Sequence, residues 1–297
     1  MIELIRALAV VAEGAGAEQA AVADALGVGT PTPAEHTDVF VFQLYPYASV
    51  HLGPEGQLGG VARDRVAGFL RALGQTPPAE PDHLALLLGA YAALLDRERD
   101  AADDTAQAAW RRAREALLVE HLLSWAPAFV RRVADLGGPG HRAWAGLLDD
   151  VLASEAARTP AASTLLSAHL VHAPRLEDPR DGLAREFIDG LLAPARTGVI
   201  VTASDLARLA EDLGLGRRVG ERRFVLRALL DQDAAAVLGW LADASAADSQ
   251  AWQTHWLAAT PTGGWWRDRS AATAELLARL ADDCRAIEGD IAVALQP

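Results

Sequence analysis

The sequence predicts an all-α protein. Ala, Leu, Arg and Glu dominate the composition, and apolar residues recur three and four positions apart, as they do on one face of a helix. Residues with β-strand preference cluster in only two short stretches, 39–42 and 199–201, which are too isolated to make a sheet. With 297 residues, 51% of them hydrophobic, the chain is long enough for one or two packed helical domains.

The N-terminal part of the chain reads as a succession of helices. Residues 1–8 begin an amphipathic helix, because an acid and a base interrupt its apolar residues. A second helix is predicted over 60–73, and a third carries an apolar stripe from Leu84 to Leu95 with Asp82 as its cap. Another stripe runs from Leu118 to Phe129, where Pro127 is expected to kink the helix or to end its regular bonding. A helix over 141–157 follows.

The C-terminal part is also helical by pattern. The predicted helices lie at 179–192, 204–213, 221–230, 234–256 and 269–295. The segment 172–181, with Pro174 and Pro179, is the best candidate boundary, so the expected domains are 1–175 and 176–297. Trp265 and Trp266 follow a Gly-rich break at 260–264; they form a contact loop if exposed and core packing otherwise.

Charge and composition exclude several classes of protein. All 27 basic residues are arginine, which removes lysine-based chemistry, and the single cysteine excludes internal disulfides and Cys-based metal sites. His169 and His172 have the spacing of a ligand pair, but no carboxylate stands at a matching spacing. No catalytic motif is present. We therefore expect no enzyme, no catalytic residue, no metal and no cofactor.

The charge also bears on partners and location. The net charge of −13 is spread evenly along the chain, which disfavours nucleic acid and suits basic peptides. The longest apolar run without charge, 83–95, is too short to span a membrane. We expect a cytoplasmic protein without a membrane span.

Two features stand out from this background. Glu80-Pro81-Asp82-His83 is a charged loop-to-helix junction in front of a wholly apolar helix, where a carboxylate beside an imidazole can accept hydrogen bonds from a cationic peptide. In the second, His121, Trp125 and Phe129 repeat at four-residue spacing on one helix face, which is also the spacing of ordinary core packing.

Together with the aromatic segment 45–52, these features resemble the TorD/DmsD family of all-helical, cytoplasmic chaperones for molybdoenzymes. The order and spacing match over about residues 34–160. The resemblance implies a TorD-like bundle, with the C-terminal residues as an additional helical region. It also implies binding of the twin-arginine signal peptide on the apo form of a molybdopterin oxidoreductase catalytic subunit, whose cofactor insertion and assembly it assists before export. The residues that it assigns to peptide binding are Tyr47, His51, Asp82, His83, His121 and Trp125. A homodimer stays open as the oligomeric state.

A rival hypothesis rests on residues 202–230, which read as helix, glycine turn and helix. Between Gly214 and Leu230 there are five arginines and one acid, a local charge of +4. A helix-turn-helix regulator would place Arg222 and Arg223 at the base-reading end of its second helix. The structural alternative is a helical hairpin whose arginines pair with acids of the first domain, and an intermediate one is a patch that docks an acidic protein surface.

Overall fold

The computed structural model describes residues 1–294, which divide into two compact units. The first unit comprises 1–173 together with 259–262, and the second takes 174–258 and continues from 263. The all-α prediction is confirmed: the described residues form helices and loops without a strand, apart from one isolated bridge between Tyr47 and His83. No helix within residues 1–294 is long and apolar enough to cross a membrane.

The first unit is built from eleven helices and two π-helical turns. The helices are α1 (Ile2–Glu13), α2 (Ala17–Leu26), α3 (Pro33–Thr37), α4 (Ala48–Leu52), α5 (Gly60–Ala72), α6 (Leu84–Arg99), α7 (Asp104–Ala116), α8 (Ala126–Leu136), α9 (Pro139–Ala157), α10 (Pro160–Thr164) and α11 (Ala168–Val171), and the π-helical turns are Asp38–Gln43 and Leu117–Leu122.

Helices α1 and α6 pack against each other through their apolar faces. Ile5 and Leu8 of α1 and Leu87 of α6 are fully buried. The apolar face that the sequence predicts for α1 is therefore buried against α6. Arg6, near the beginning of α1, forms an ion pair with Asp96, near the end of α6. The two helices are therefore antiparallel, and the end of α1 lies beside the beginning of α6.

Aromatic side chains fill the middle of the first unit. Phe40 lies 5.8 Å from Trp144 and 5.9 Å from Phe129, measured between ring centroids. The stretch 39–42 belongs to a π-helical turn, and it forms no strand, as its isolation from other β-prone residues predicted. Pro127 stands in the first turn of α8, where its missing N–H is tolerated, and regular bonding ends before it.

The described residues of the second unit form six helices around their own core. They are α12 (Ala184–Leu191), α13 (Pro194–Thr197), α14 (Ala203–Asp212), α15 (Arg222–Leu230), α16 (Ala234–Thr254) and α17 (Pro261–Ala294), of which the first two residues of α17 are grouped with the first unit. Leucine and valine side chains from α14 to α17 make up most of this core, with Phe187 of α12 at its edge.

Two predicted helix beginnings in this part of the chain are wrong. The helix predicted from 179 begins only at Ala184. The helix predicted from 269 begins at Pro261, where a proline suits the first turn. Of the two alternatives for Trp265 and Trp266, the contact loop does not hold, since both lie in α17. Trp266 is 1% exposed and stacks on Trp252 at 5.9 Å. The predicted end of that helix, Leu295, lies outside the described residues.

Candidate functional site

The loop before α4 and the loop before α6 meet in the first unit. Tyr47 and His83 form an antiparallel bridge, in which the Ala48 N–H donates to the Asp82 carbonyl at 3.0 Å. Their rings pack edge to face with centroids 4.8 Å apart. Two segments that are far apart in sequence are thereby joined, and three of the predicted site residues, Tyr47, Asp82 and His83, lie together. We call this crossing the junction.

The position of Asp82 in the sequence predicts that it caps α6, but in the structure it does not. The N-cap is His83, whose Nδ1 accepts the Ala85 N–H at 3.2 Å. The carboxylate of Asp82 is 2% exposed, and its Oδ2 accepts the Ser49 N–H at 2.9 Å. Since Ser49 lies in the first turn of α4, Asp82 satisfies a free N–H of that helix instead. The tertiary contact decides which helix the carboxylate caps.

Glu80 presents the exposed carboxylate of the junction. Its Oε2 accepts the hydroxyl of Tyr47 at 2.8 Å, and burial together with this hydrogen bond raises the pKa of Tyr47 to about 12. The backbone beside Glu80 is held in place as well, because the Arg63 guanidinium donates to the Ala79 carbonyl at 3.0 Å. Glu80 therefore projects from an ordered loop.

Glu13 contributes a second exposed carboxylate. It ends α1, and the packing of α1 on α6 brings its charge close enough to act on the His83 imidazole. Burial lowers the pKa of His83, an effect that Glu80, Glu13 and Asp82 only partly oppose. The charged form of the His83 imidazole is thus disfavoured, so it adds little positive charge beside the two exposed carboxylates.

Exposed apolar side chains lie next to the junction. Leu58 and Val61 are 58% and 62% exposed. Between them, the Gly59 N–H donates to the Ser49 hydroxyl oxygen at 3.1 Å, which ties this segment to the beginning of α4. The surface thus combines carboxylates with apolar area.

The other predicted residues are buried. His51 stacks on Trp125 with centroids 5.0 Å apart and planes 10° from parallel, and neither side chain is more than 1% exposed. The His51 Nε2 lies 2.9 Å from the Tyr45 carbonyl oxygen, and Phe129 packs on both rings. His51 and Trp125 thus anchor α4 in the core and do not face solvent.

His121 belongs to a separate buried pair. Its Nδ1 lies 3.4 Å from Nε2 of His169, and its carbonyl accepts the Trp125 indole N–H at 2.8 Å. His172, which has a ligand-like spacing to His169 in the sequence, is exposed. Within residues 1–294 no group of three or more His, Cys, Asp or Glu is placed to hold a metal ion.

The histidine pair makes the first unit sensitive to acid. Burial lowers the pKa of His121 to about 4 and that of His169 to about 3, from 6.5. Below pH 6.5 the unfolded chain takes up protons that the folded chain does not. The pair therefore does not lower the free energy of unfolding above pH 6.5. Below that pH the free energy of unfolding decreases as the pH falls toward 4, by on the order of 2 kcal/mol for each imidazole at about pH 5.

Urea unfolding at about pH 7.5 and about pH 5 measures this decrease. In the His121→Gln variant the decrease should be clearly smaller, because one of the two buried imidazoles is gone. The matched change His172→Gln removes an exposed histidine and should leave the decrease unaltered. Equal decreases in both variants would show that the buried pair is not its source.

The two arginines of the hairpin that would read bases are engaged within the second unit. Arg222 Nη1 donates to the Val201 carbonyl at 2.6 Å, and Arg223 pairs with Asp189 at 3.1 Å. The alternative in which the hairpin arginines pair with acids of the first domain does not hold for Arg223, because Asp189 lies on α12, which packs against α15. The two side chains that would read bases are held by local partners.

Sequence reasoning placed Tyr47, Asp82 and His83 together, and it missed Glu13. No motif connects Glu13 with residue 83, since only the antiparallel packing of α1 on α6 brings them near each other. Glu80 was visible in the sequence as part of the charged junction, but its bond to Tyr47 was not.

Part of the first unit matches a known protein family. Residues 14–131 match the family described as "Nitrate reductase delta subunit", whose members are chaperones for molybdoenzyme assembly and are not catalysts. The resemblance drawn from the sequence is confirmed over these residues, which include the crossing of Tyr47 with His83 and the stacked pair of His51 and Trp125 but begin just after Glu13. No curated protein matches the chain.

Proposed function

Because residues 14–131 match a family of molybdoenzyme chaperones, we propose that this protein binds the twin-arginine signal peptide on the apo form of a molybdopterin oxidoreductase catalytic subunit. The bound client is held back from export in the cytoplasm while its cofactor is inserted and its subunits assemble. The chaperone performs no reaction of its own.

The observation that carries the proposal is the pair of exposed carboxylates at the junction. Glu13 and Glu80 are both exposed and both act electrostatically on His83, and a twin-arginine peptide presents two guanidinium groups. A guanidinium donates two parallel hydrogen bonds to a carboxylate, and such charge-assisted bonds are stronger than neutral ones. The two guanidinium groups of the peptide therefore face an equal number of carboxylates, which carry the opposite charge.

The apolar part of the signal peptide also finds a partner surface. Leu58 and Val61 are exposed next to the junction, on a segment that is bonded to Ser49. Covering their side chains with an apolar peptide segment removes area from water, which favours binding. Charged and apolar contacts are thus offered side by side.

The buried site residues act as positioning residues. Asp82 holds the first turn of α4, and His51 of that helix stacks on Trp125 in the core. His121 supports Trp125 through its carbonyl. Tyr47 and His83 remain half-buried at the surface, and they are the members of the predicted set that can touch a peptide directly.

Calorimetric titration of the full chain with a synthetic signal peptide tests the proposal. The peptide with two arginines should bind, and the peptide with glutamines in their place should bind roughly 100-fold more weakly. The double variant Asp82→Ala/His83→Ala should lose binding, because the junction loses the bonds that shape it. Equal affinity for both peptides would contradict the proposal.

Co-purification from the native host identifies the client. Tagged full-length protein should recover a molybdopterin-type catalytic subunit whose signal peptide is uncleaved, as read by mass spectrometry. Recovery of DNA in its place, or of no such subunit at any salt concentration, would overturn the chaperone function.

A further inference from the structure

The second unit carries a surface that the proposed peptide site does not use. We call it the arginine patch: Arg217, Arg218, Val219, Phe224 and Arg227. It lies outside residues 14–131 and follows α14 in the loop and helix of the hairpin. We propose that the arginine patch docks an acidic segment of a partner protein that also carries an exposed apolar side chain.

The charge of the patch is opposite to that of the chain. Residues 214–230 carry +4, although the whole chain carries −13. Arg217, Arg218 and Arg227 are exposed, and among residues 1–287, whose side chains the structure describes, no carboxylate forms an ion pair with any of them. Three guanidinium groups are thus available to carboxylates of a partner.

Apolar area accompanies this charge. Val219 is 94% exposed and Phe224 is 47% exposed. The guanidinium carbon of Arg218 lies 5.8 Å from the centroid of the Phe224 ring, so charge and aromatic face are presented together. Arg227 follows Phe224 by three residues on α15 and shares its helix face.

The loop that carries the patch is attached to the unit at its beginning. The Gly216 N–H donates to Gln232 Oε1 at 2.8 Å, and Gln232 Nε2 donates back to the Gly216 carbonyl at 2.9 Å. Gln232 follows the end of α15, so this pair of bonds holds the loop against the helix that bears Phe224 and Arg227. The patch is therefore one surface built from two segments.

Protein fits this surface better than nucleic acid does. Arg222 and Arg223, which would face bases, are held by Val201 and Asp189. The overall charge of −13 repels an extended polyanion, whereas a short acidic segment interacts mainly with the nearby arginines. Val219 and Phe224 have no role in contacts with phosphates, but they suit an apolar side chain of a protein.

Fluorescence anisotropy with defined probes tests the inference on the full chain. The probes are a labelled peptide of Glu and Asp with a central Leu-Phe pair, its counterpart with amides in place of all acids, and a short DNA duplex. We expect the acidic peptide to bind about tenfold more tightly than either other probe at low salt, and to weaken as salt is raised.

Matched variants locate the binding. Arg217→Glu/Arg218→Glu should weaken the acidic peptide about tenfold or more, whereas Arg175→Glu/Arg185→Glu makes the same charge change at exposed positions of the same unit and should leave it nearly unaltered. Val219→Ser should weaken binding severalfold, and Leu183→Ser, at a residue 60% exposed, should not.

Four outcomes overturn the inference. They are preference for the DNA duplex, absence of binding by any probe at low salt, equal losses in both arginine double variants, and patch-dependent self-association in place of peptide binding, as read by light scattering. The twin-arginine titration does not use the patch, so failure here leaves the proposed function standing, and the reverse also holds.

Discussion

Replacing Glu13 and Glu80 together by glutamine is expected to weaken binding of the twin-arginine peptide roughly 100-fold. If the proposed site binds the peptide, each carboxylate should accept charge-assisted hydrogen bonds from one guanidinium, worth about 1.5 kcal/mol, so the pair should contribute about 3 kcal/mol. Glutamine retains the size of the side chain and removes its charge. Isothermal titration calorimetry of each variant with the two-arginine peptide measures the loss.

The control for this prediction changes the charge equally elsewhere in the first unit. Glu18→Gln/Asp104→Asn alters two exposed acids that lie outside the junction, and it should change the affinity less than twofold at moderate salt. The affinity for the peptide with glutamines should differ little among these variants. Comparing the two peptides in a double-mutant cycle therefore gives the coupling energy between the peptide arginines and the chain carboxylates. A coupling energy near zero would show that Glu13 and Glu80 do not bind the arginines of the peptide.

Replacing Trp125 by alanine is expected to destabilise the first unit by about 3–5 kcal/mol. The side chain is 0% exposed, stacks on His51 and donates its indole N–H to the His121 carbonyl at 2.8 Å. Its removal leaves a cavity under α4 and an unsatisfied carbonyl. Urea unfolding followed by circular dichroism measures the change.

Trp110 provides the matched tryptophan control. It lies half-buried on α7 beneath the Arg97 guanidinium, 4.8 Å from the guanidinium carbon, and Trp110→Ala should cost about 1 kcal/mol. Trp125→Phe should recover part of the loss, because a ring still packs on His51. A Trp125→Ala variant as stable as Trp110→Ala would show that this stack does not hold the unit together.

The candidate site could be predicted only in part. The segments 45–52 and 80–84 were predicted to belong to one site, and they meet in the bridge between Tyr47 and His83. The sequence predicts that Asp82 caps α6, whereas it caps α4. The prediction fails because local rules consider only the N–H groups that follow in sequence. Glu13 carries no local signal, since its approach to the junction depends on which helix packs against α1.

The sequence by itself determined that the protein is helical and acidic, because periodicity and composition are local properties that survive any arrangement of the helices. A resemblance to a known family was also visible in the sequence, through motifs that keep their order along the chain, and the family match over residues 14–131 bears it out. Only the tertiary structure decided which site residues meet solvent. His51, Asp82, His121 and Trp125 are buried, whereas Glu13 and Glu80 are exposed, and this division follows from the packing of segments distant in sequence.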